Sequence, residues 1–201
     1  MNVLWGLVAA ALIVIGVFIF VSGGEEATTF VNKLVIPDSL FKTPDTAVPA
    51  VSPKKISLTP GIERWYTNDA RTFSFRLPDG FSAPALDTGV PGVEGMMLER
   101  SGYEPLVVLL HQVPSLFTLS DQSIRANLPG VTVTTVRDTF LGTVVRALVF
   151  RTHSAERGDG IELWAVNNGK LYRLATSPDN EDLLQFVIEN WYFAPPFPST
   201  P

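Results

Sequence analysis

Residues 71–82 read RTFSFRLPDGFS, and this stretch decides how the rest of the chain is interpreted. Its large apolar side chains, Phe73, Phe75 and Leu77, occupy alternate positions with polar residues between them. Alternation with a period of two is typical of a β-strand that buries one face. The Pro-Asp-Gly sequence at 78–80 suits a tight turn. The stretch therefore predicts the first strand of a folded domain, closed by a turn.

Several further strand patterns follow this one along the chain. PLVVLLHQV (105–113) is apolar on both faces, which predicts a strand in the middle of a sheet. Asn168-Gly169 lies inside IELWAVNNGKLYRLAT, where this dipeptide suits the positive φ angles of a hairpin turn. The other strand candidates are GMMLERS (95–101), VTVTTVRDTF (131–140) and TVVRALVFRTH (143–153).

Two segments show helix signals. In TLSDQSIRANLPG (118–130), Thr118 or Ser120 can cap a short helix that the Pro-Gly pair ends. The second helix is predicted over DNEDLLQFVIENW (179–191), with Ser177 as the N-cap and a proline at the first helical position. Its apolar residues are spaced for one buried face: Leu184, Val187, Ile188 and Trp191.

Consecutive antiparallel strands with two helices predict an α+β fold, in which an antiparallel sheet is flanked by helices in a sandwich. This domain is expected over residues 61–194. The Pro-rich tail at 195–201 has the P-x-x-P spacing of polyproline ligands, and a disordered end is the alternative interpretation.

The N-terminal region predicts a membrane anchor. Residues 3–22 contain no charged side chain, and a helix of this length spans the roughly 30 Å hydrocarbon core of a bilayer. Residues 1–24 are therefore interpreted as a transmembrane anchor, with a cleaved signal peptide as the alternative. Residues 25–60 contain repeated prolines and predict a linker that is helical at its start.

Charge and composition restrict the partners. The formal net charge is −5 and the chain has no cysteine, which excludes disulfides, thiolate metal sites and cysteine nucleophiles. A mildly acidic chain is also a poor candidate for nucleic-acid binding.

The orientation in the membrane depends on the charges that flank the apolar segment. Counting Lys33 and Lys42 places the C-terminal side in the cytoplasm, whereas Glu25, Glu26 and the long spacer favour the outer side. We expect a single-pass membrane protein whose C-terminal domain is extracytoplasmic.

The order of these elements resembles the Mog1/PsbP-like family. The resemblance rests on TFSFRLPDGF, LVVLLHQV, the short helix, TVVRALVF, the hairpin ELWAVNNGKLYRLAT and a closing helix with WYF, over residues 65–194. Domains of this family dock on membrane-bound photosynthetic complexes or on a small GTPase. The resemblance implies a non-enzymatic domain that binds a larger assembly or a partner protein. No binding residue of the family can be placed on this chain.

The sequence offers few residues for catalysis, and no cofactor is expected. His111 lies in an apolar strand and is interpreted as a core or edge histidine, with a ligand or general base as the alternative. His153 is expected in a surface loop. GVPGVEG at 89–95 predicts a flexible loop rather than a phosphate-binding loop. Glu94 and Glu99 are expected on opposite sides of a strand, where they cannot act together.

Four residues are candidates for partner contacts. Trp65 and Tyr66 precede the opening strand, and aromatic residues are favoured anchors at interfaces. Arg157 and Asp159 belong to an Arg-Gly-Asp tripeptide that a turn between two strands can display.

The predicted function is a membrane-anchored, non-catalytic domain that binds another membrane or surface protein. An anchored hydrolase with a site near His111 and a solute-binding module remain as alternatives.

Overall fold

The computed structural model describes residues 64–156 and 158–193. The strands and helices follow in chain order: β1 (Trp65–Thr67), β2 (Ser74–Arg76), β3 (Val93–Leu98), β4 (Leu106–Gln112), α1 (Asp121–Asn127), β5 (Thr132–Leu141), β6 (Val145–Ser154), β7 (Gly158–Asn167), β8 (Lys170–Thr176), a 3₁₀-helix (Pro178–Asn180), α2 (Glu181–Glu189) and β9 (Trp191–Tyr192). The predicted anchor at 1–24, the linker at 25–60 and the tail at 195–201 lie outside the described residues. None of the described helices has the length and hydropathy needed to cross a membrane.

The strands form two antiparallel sheets. The large sheet has six strands in the order β3-β4-β8-β7-β6-β5, and the small sheet has three in the order β1-β2-β9. The α+β prediction is confirmed, and β4 has a neighbour on each side, as its apolar pattern predicts. The opening stretch is not the first strand, however, because β1 precedes it and pairs with β2. The alternation of apolar and polar residues indicates that one face of a strand is buried. It does not indicate which sheet the strand joins.

One face of the large sheet carries the main core. The small sheet and α2 supply the residues that pack with this face, among them Phe73, Phe75 and Trp191. From α2, the core takes a cluster of aliphatic side chains: Leu183, Leu184, Val187 and Ile188. The prediction of a second helix is thus confirmed, but the predicted range 179–191 extends two residues beyond the C-terminal end of α2. Trp191 lies in β9, since the helix stops at Glu189.

The opposite face of the large sheet lies on the side of α1. The helix begins at Ser120, whose side chain accepts a hydrogen bond from the Ser123 backbone N–H in a capping box. Ile124 is fully buried and Asn127 is nearly so. Of the two predicted caps, Ser120 is therefore the correct one. The predicted Ser177 cap precedes the 3₁₀-helix instead and makes no capping hydrogen bond with its side chain.

The predicted β7–β8 hairpin is confirmed by its backbone. Asn168 and Gly169 have φ angles of 51° and 71°, which are the positive values that the turn requires. His153 is expected in a surface loop; its side chain is exposed, but the loop assignment is wrong. It lies in β6 opposite Asp159 of β7, because both strands continue further than their apolar pattern.

The turn between β5 and β6 is hydrogen-bonded to the end of α2 and abuts the small sheet. Gly142 has a φ of 64°, and its N–H donates to the Ile188 carbonyl at 2.9 Å. A Cβ atom at position 142 would collide with the carbonyl oxygen of Trp191. Only glycine meets both the conformational and the steric requirement at this position.

We expect Gly142→Ala to lower the free energy of unfolding by about 2–4 kcal/mol, because it adds left-handed strain and a collision. Chemical denaturation at constant pH measures the change. Gly102→Ala is the matched control, since Gly102 has a φ of 82° and a Cβ atom at this position would have no neighbour within 4 Å among the described residues. The control should lose about 1–2 kcal/mol from strain alone. Equal losses in the two variants would contradict the close contact with Trp191.

Candidate functional site

The small sheet has two unlike faces. Strand pairing places Tyr66 opposite Phe75, and Phe75 opposite Trp191, so these three side chains share the inner face. Trp65 lies opposite Arg76 on the outer face, where Tyr192 lies opposite Ser74. Ser74 is fully buried on this face, so the opening strand is not buried on one face only, as its alternation predicts. The alternation of side chains along β1 therefore sends two adjacent predicted contact residues to opposite sides.

The outer face carries a cluster of two aromatic residues and an arginine. The rings of Trp65 and Tyr192 meet edge to face, with their centroids 5.3 Å apart. The guanidinium carbon of Arg76 lies 5.3 Å from the centroid of the Trp65 ring, within cation–π distance. Tyr192 is 42% exposed and Trp65 is half-buried. We call Trp65, Arg76 and Tyr192 the outer aromatic cluster.

Tyr66 lies in a different environment. Its ring stacks on Phe75 with the centroids 5.1 Å apart. Burial raises the pKa of its phenol, and the negative charges of Asp69 and Glu94 raise it further. Tyr66 is therefore part of the packing between the sheets. Its role as a partner contact stays a prediction.

The Arg-Gly-Asp tripeptide is only partly described, since Arg157 lies outside the described residues. Asp159 belongs to β7, and its Oδ1 lies 2.7 Å from Nδ1 of His153 on β6. Both side chains are exposed, so this pair is a solvent-screened contact between neighbouring strands. Asp159 is thus a strand residue rather than a turn residue, because β7 begins at Gly158, and its carboxylate is engaged with His153. Its role as a partner contact stays a prediction.

His111 is enclosed. It is 8% exposed, its Nδ1 lies 3.2 Å from the carbonyl oxygen of Gln112, and its Nε2 is buried without a hydrogen-bond partner among the described residues. Burial lowers the pKa of His111 from its usual 6.5 to about 4, and the positive charge of Arg173 adds to this effect. The imidazole is neutral at neutral pH. A neutral ring that solvent barely reaches fits the core interpretation better than a general base.

A buried ion pair lies on the same face of the large sheet. Arg173 Nη2 is 3.0 Å from Glu162 Oε2, and the indole N–H of Trp164 donates to the same oxygen at 2.8 Å. The Arg173 guanidinium also lies over the Trp164 ring, 4.7 Å from its centroid. A carboxylate held by two donors between buried strands is typical of a structural network. The sequence alone does not indicate this pair, because alternate polar positions on a strand normally face solvent.

A cleft of about 610 Å³ lies between the β1–β2 turn and the segment before β3. Three carboxylates line it, from Asp69, Asp87 and Glu94, together with Tyr66. Glu94 is 3.1 Å from Lys170 Nζ, which balances one of these charges. The segment 89–95 forms part of the wall, although its last three residues belong to β3 rather than to a loop. Among the described residues, no group of three or more acidic or histidine side chains is arranged to hold a metal ion.

Comparison with known proteins gives a likeness of fold. No protein-family model matches the chain, and no curated protein is similar to it in sequence. The solution structure of cyanobacterial PsbP (CyanoP) from Synechocystis sp. PCC 6803 is similar, with a TM-score of 0.45 and 17% identity. The match covers 66% of this chain and 94% of that chain. This likeness concerns the fold alone.

The burial of His111 predicts a pH-dependent stability. Its folded-state pKa of about 4 lies below the usual 6.5, so the unfolded chain binds more protons between these values. This contribution to the free energy of unfolding is complete above pH 6.5 and falls as the pH drops toward 4. At pH 4.5 we expect a loss of about 2 kcal/mol from this residue.

Chemical denaturation at pH 7 and pH 4.5 measures the effect. His111→Gln should lose about 2 kcal/mol less stability between the two pH values than the unmodified chain. Val107→Ala is the control, because it perturbs the same buried face of β4 without removing a titrating group and should keep the pH dependence of the unmodified chain. The same pH dependence in the His111→Gln variant as in the unmodified chain would contradict the enclosed, neutral imidazole.

Proposed function

We propose that this chain is a membrane-anchored, non-catalytic accessory protein that binds another membrane or surface protein. Residues 3–22 anchor it, residues 25–60 are a spacer, and the domain over residues 61–194 lies outside the cytoplasm. The outer aromatic cluster of the small sheet is the contact surface.

The observation that carries this proposal is the composition and geometry of the outer aromatic cluster. Tryptophan, tyrosine and arginine are the residues that most often dominate binding energy at protein interfaces. Here Arg76 and Tyr192 both contact Trp65, so the three side chains hold each other in place before a partner arrives. Side chains that are already ordered lose little entropy on binding.

The N-terminal region supports the membrane part of the proposal. Residues 37–60 contain five prolines, and in polyproline form they could extend roughly 70 Å from the bilayer. A spacer of this reach suits a domain that contacts a large neighbouring assembly. The acidic pair Glu25-Glu26 directly after the apolar segment favours the outer side of the membrane.

The cleft beside Tyr66 favours a second candidate, a solute-binding module. Its volume of about 610 Å³ is sufficient for a small ligand, and its carboxylates would select a cationic one. The anchored hydrolase is less well supported, since the Nε2 atom of His111 is buried and finds no hydrogen-bond partner in the described part of the chain. A base in this position needs access to the proton that it removes.

Site-specific photo-cross-linking in native membranes tests the proposed contact. A photoreactive phenylalanine at position 192 should yield one defined cross-linked partner. The same residue at position 122 should not, because Gln122 is exposed on α1, on the other side of the large sheet. Arg76→Gln should reduce the yield at position 192 at least tenfold, as expected for the loss of a dominant contact.

Thermal denaturation of the Arg76→Gln variant confirms that the fold is retained. Equal yields at positions 192 and 122, or a yield at 192 that Arg76→Gln leaves unchanged, would contradict the proposed surface.

A further inference from the structure

The segment before β3 extends the large sheet beyond that strand. It pairs along β3 through four backbone hydrogen bonds of 2.9–3.1 Å. These bonds join three pairs of residues in one regular antiparallel register: Ser82 with Glu99, Pro84 with Met97, and Leu86 with Gly95. We call residues 82–86 the edge segment, because no other described residue pairs with its outer side.

The outer side of the edge segment carries a row of unpaired backbone groups. In a strand, the backbone groups of alternate residues point to opposite edges. Ser82, Pro84 and Leu86 direct theirs toward β3. Ala83 and Ala85 therefore direct theirs away from the sheet, and neither has a backbone hydrogen bond to another described residue. The proline, which lacks an N–H, faces β3 and leaves the outward row complete.

The opposite edge of the large sheet is protected against such pairing. The register of β5 shifts between Thr134 and Arg137, and Thr135 has a φ of 55°. Arg137 and Asp138 follow this bulge with charged side chains. Bulges and charges keep an edge strand from pairing with other chains. The edge segment at 82–86 has a regular register and no charged side chain, so it lacks both devices.

The cleft beside Tyr66 opens along the edge segment. Ala85 lies directly opposite Met96 in the pairing with β3, and both residues line the cleft. Side chains that are opposite each other lie on the same face of a sheet. A strand added beside Ala85 would therefore present every second side chain on the face where the cleft lies.

The charge of the cleft indicates which side chain would fit. Asp69, Asp87 and Glu94 line it, and Lys170 lies 3.1 Å from Glu94. One cation thus stands against three carboxylates, and the other two have no ion pair with a described residue. A lysine or arginine side chain that entered the cleft would reduce this excess of negative charge.

We propose that the edge segment binds an extended segment of a partner protein as an added β-strand, with a lysine or arginine of that strand in the cleft beside Tyr66. Backbone hydrogen bonds to Ala83 and Ala85 would supply affinity, and the cleft would select the cation. This inference goes beyond the proposed function, since it requires neither the membrane anchor nor the outer aromatic cluster.

The charges favour a different chain over a second copy of this one. Residues 82–88 contain no lysine or arginine, so a copy that paired through its own edge segment would bring no cation to the cleft from there. A free amine would fill the cleft and leave the outward groups of Ala83 and Ala85 without partners. A strand with a basic side chain satisfies both features.

Titration of the full-length chain with synthetic peptides tests the inference. The probe is an acetylated and amidated peptide of about six residues, the usual length of a strand, in which threonine and valine alternate around one lysine. A control peptide has glutamate in place of the lysine. We expect the lysine peptide to bind about tenfold more tightly. Its binding should also slow amide hydrogen exchange at Ala83 and Ala85.

Two pairs of variants separate the backbone contact from the charge. Ala85→Pro removes one outward N–H and no hydrogen bond within the described residues, so it should weaken binding about tenfold. Ala85→Ser keeps the N–H and should stay within about twofold of the unmodified chain. Asp87→Asn keeps the acceptor for the Gly89 N–H and removes a charge, so it should reduce the preference for lysine to about threefold.

Several results would overturn the inference. They are an absence of saturable binding, equal affinity for the lysine and glutamate peptides, and unchanged exchange at Ala83 and Ala85 with the peptide bound. Displacement of the peptide by an equal concentration of n-butylammonium would assign the cleft to a solute instead. Self-association that Ala85→Pro abolishes would assign the edge to a second copy. If Ala85→Pro does not fold, the exchange at Ala83 and Ala85 in the unmodified chain decides. None of these results bears on cross-linking at position 192, which tests the outer aromatic cluster separately.

Discussion

The structure depends on a stack of aromatic rings between the two sheets. Phe73 lies parallel to Trp191 with the ring centroids 4.5 Å apart, and Phe75 lies 5.3 Å from the same indole. Tyr172 of the large sheet meets Trp191 edge to face at 6.1 Å. Three strands of two or three residues have little stability by themselves, because so few backbone hydrogen bonds join them. The stack supplies the apolar contact that fixes the small sheet on the large one.

This arrangement links the core to the proposed functions. Because Phe75 and Trp191 face inward, their neighbours Arg76 and Tyr192 must face outward, and Trp65 joins them across the strand pair. The carbonyl of Trp191 also abuts Gly142, which connects the small sheet with the β5–β6 turn. The position of the proposed contact surface therefore follows from the packing of one buried tryptophan.

The sequence predicts those parts of the structure that local chemistry determines. The Asn168-Gly169 turn, the Ser120 cap and the buried face of the opening strand depend on neighbouring residues, and each is found in the structure. The small sheet was not predicted, because β1 and β9 are too short to show a period and pair only through long-range contacts. Because β9 is so short, the sequence shows Tyr192 only as one of three consecutive aromatic residues at 191–193. Which of these three residues faces outward depends on the register of β9 with β2. The Glu162–Arg173 pair escaped prediction because its partners come together only across two strands.

The stack fixes the small sheet on the large sheet, and through Trp191 it keeps the β5–β6 turn of the large sheet against β9. Amide hydrogen exchange of Phe73→Leu, with Phe150→Leu as the control, tests this arrangement most directly. Phe150 contacts Trp164 on the other face of the large sheet. We predict that Phe73→Leu accelerates exchange in β1, β2, β9 and at Gly142, while β7 and β8 keep their protection, and that Phe150→Leu shows no such selectivity. Equal acceleration of β7 and β8 in Phe73→Leu, or unchanged exchange in the small sheet, would contradict the account.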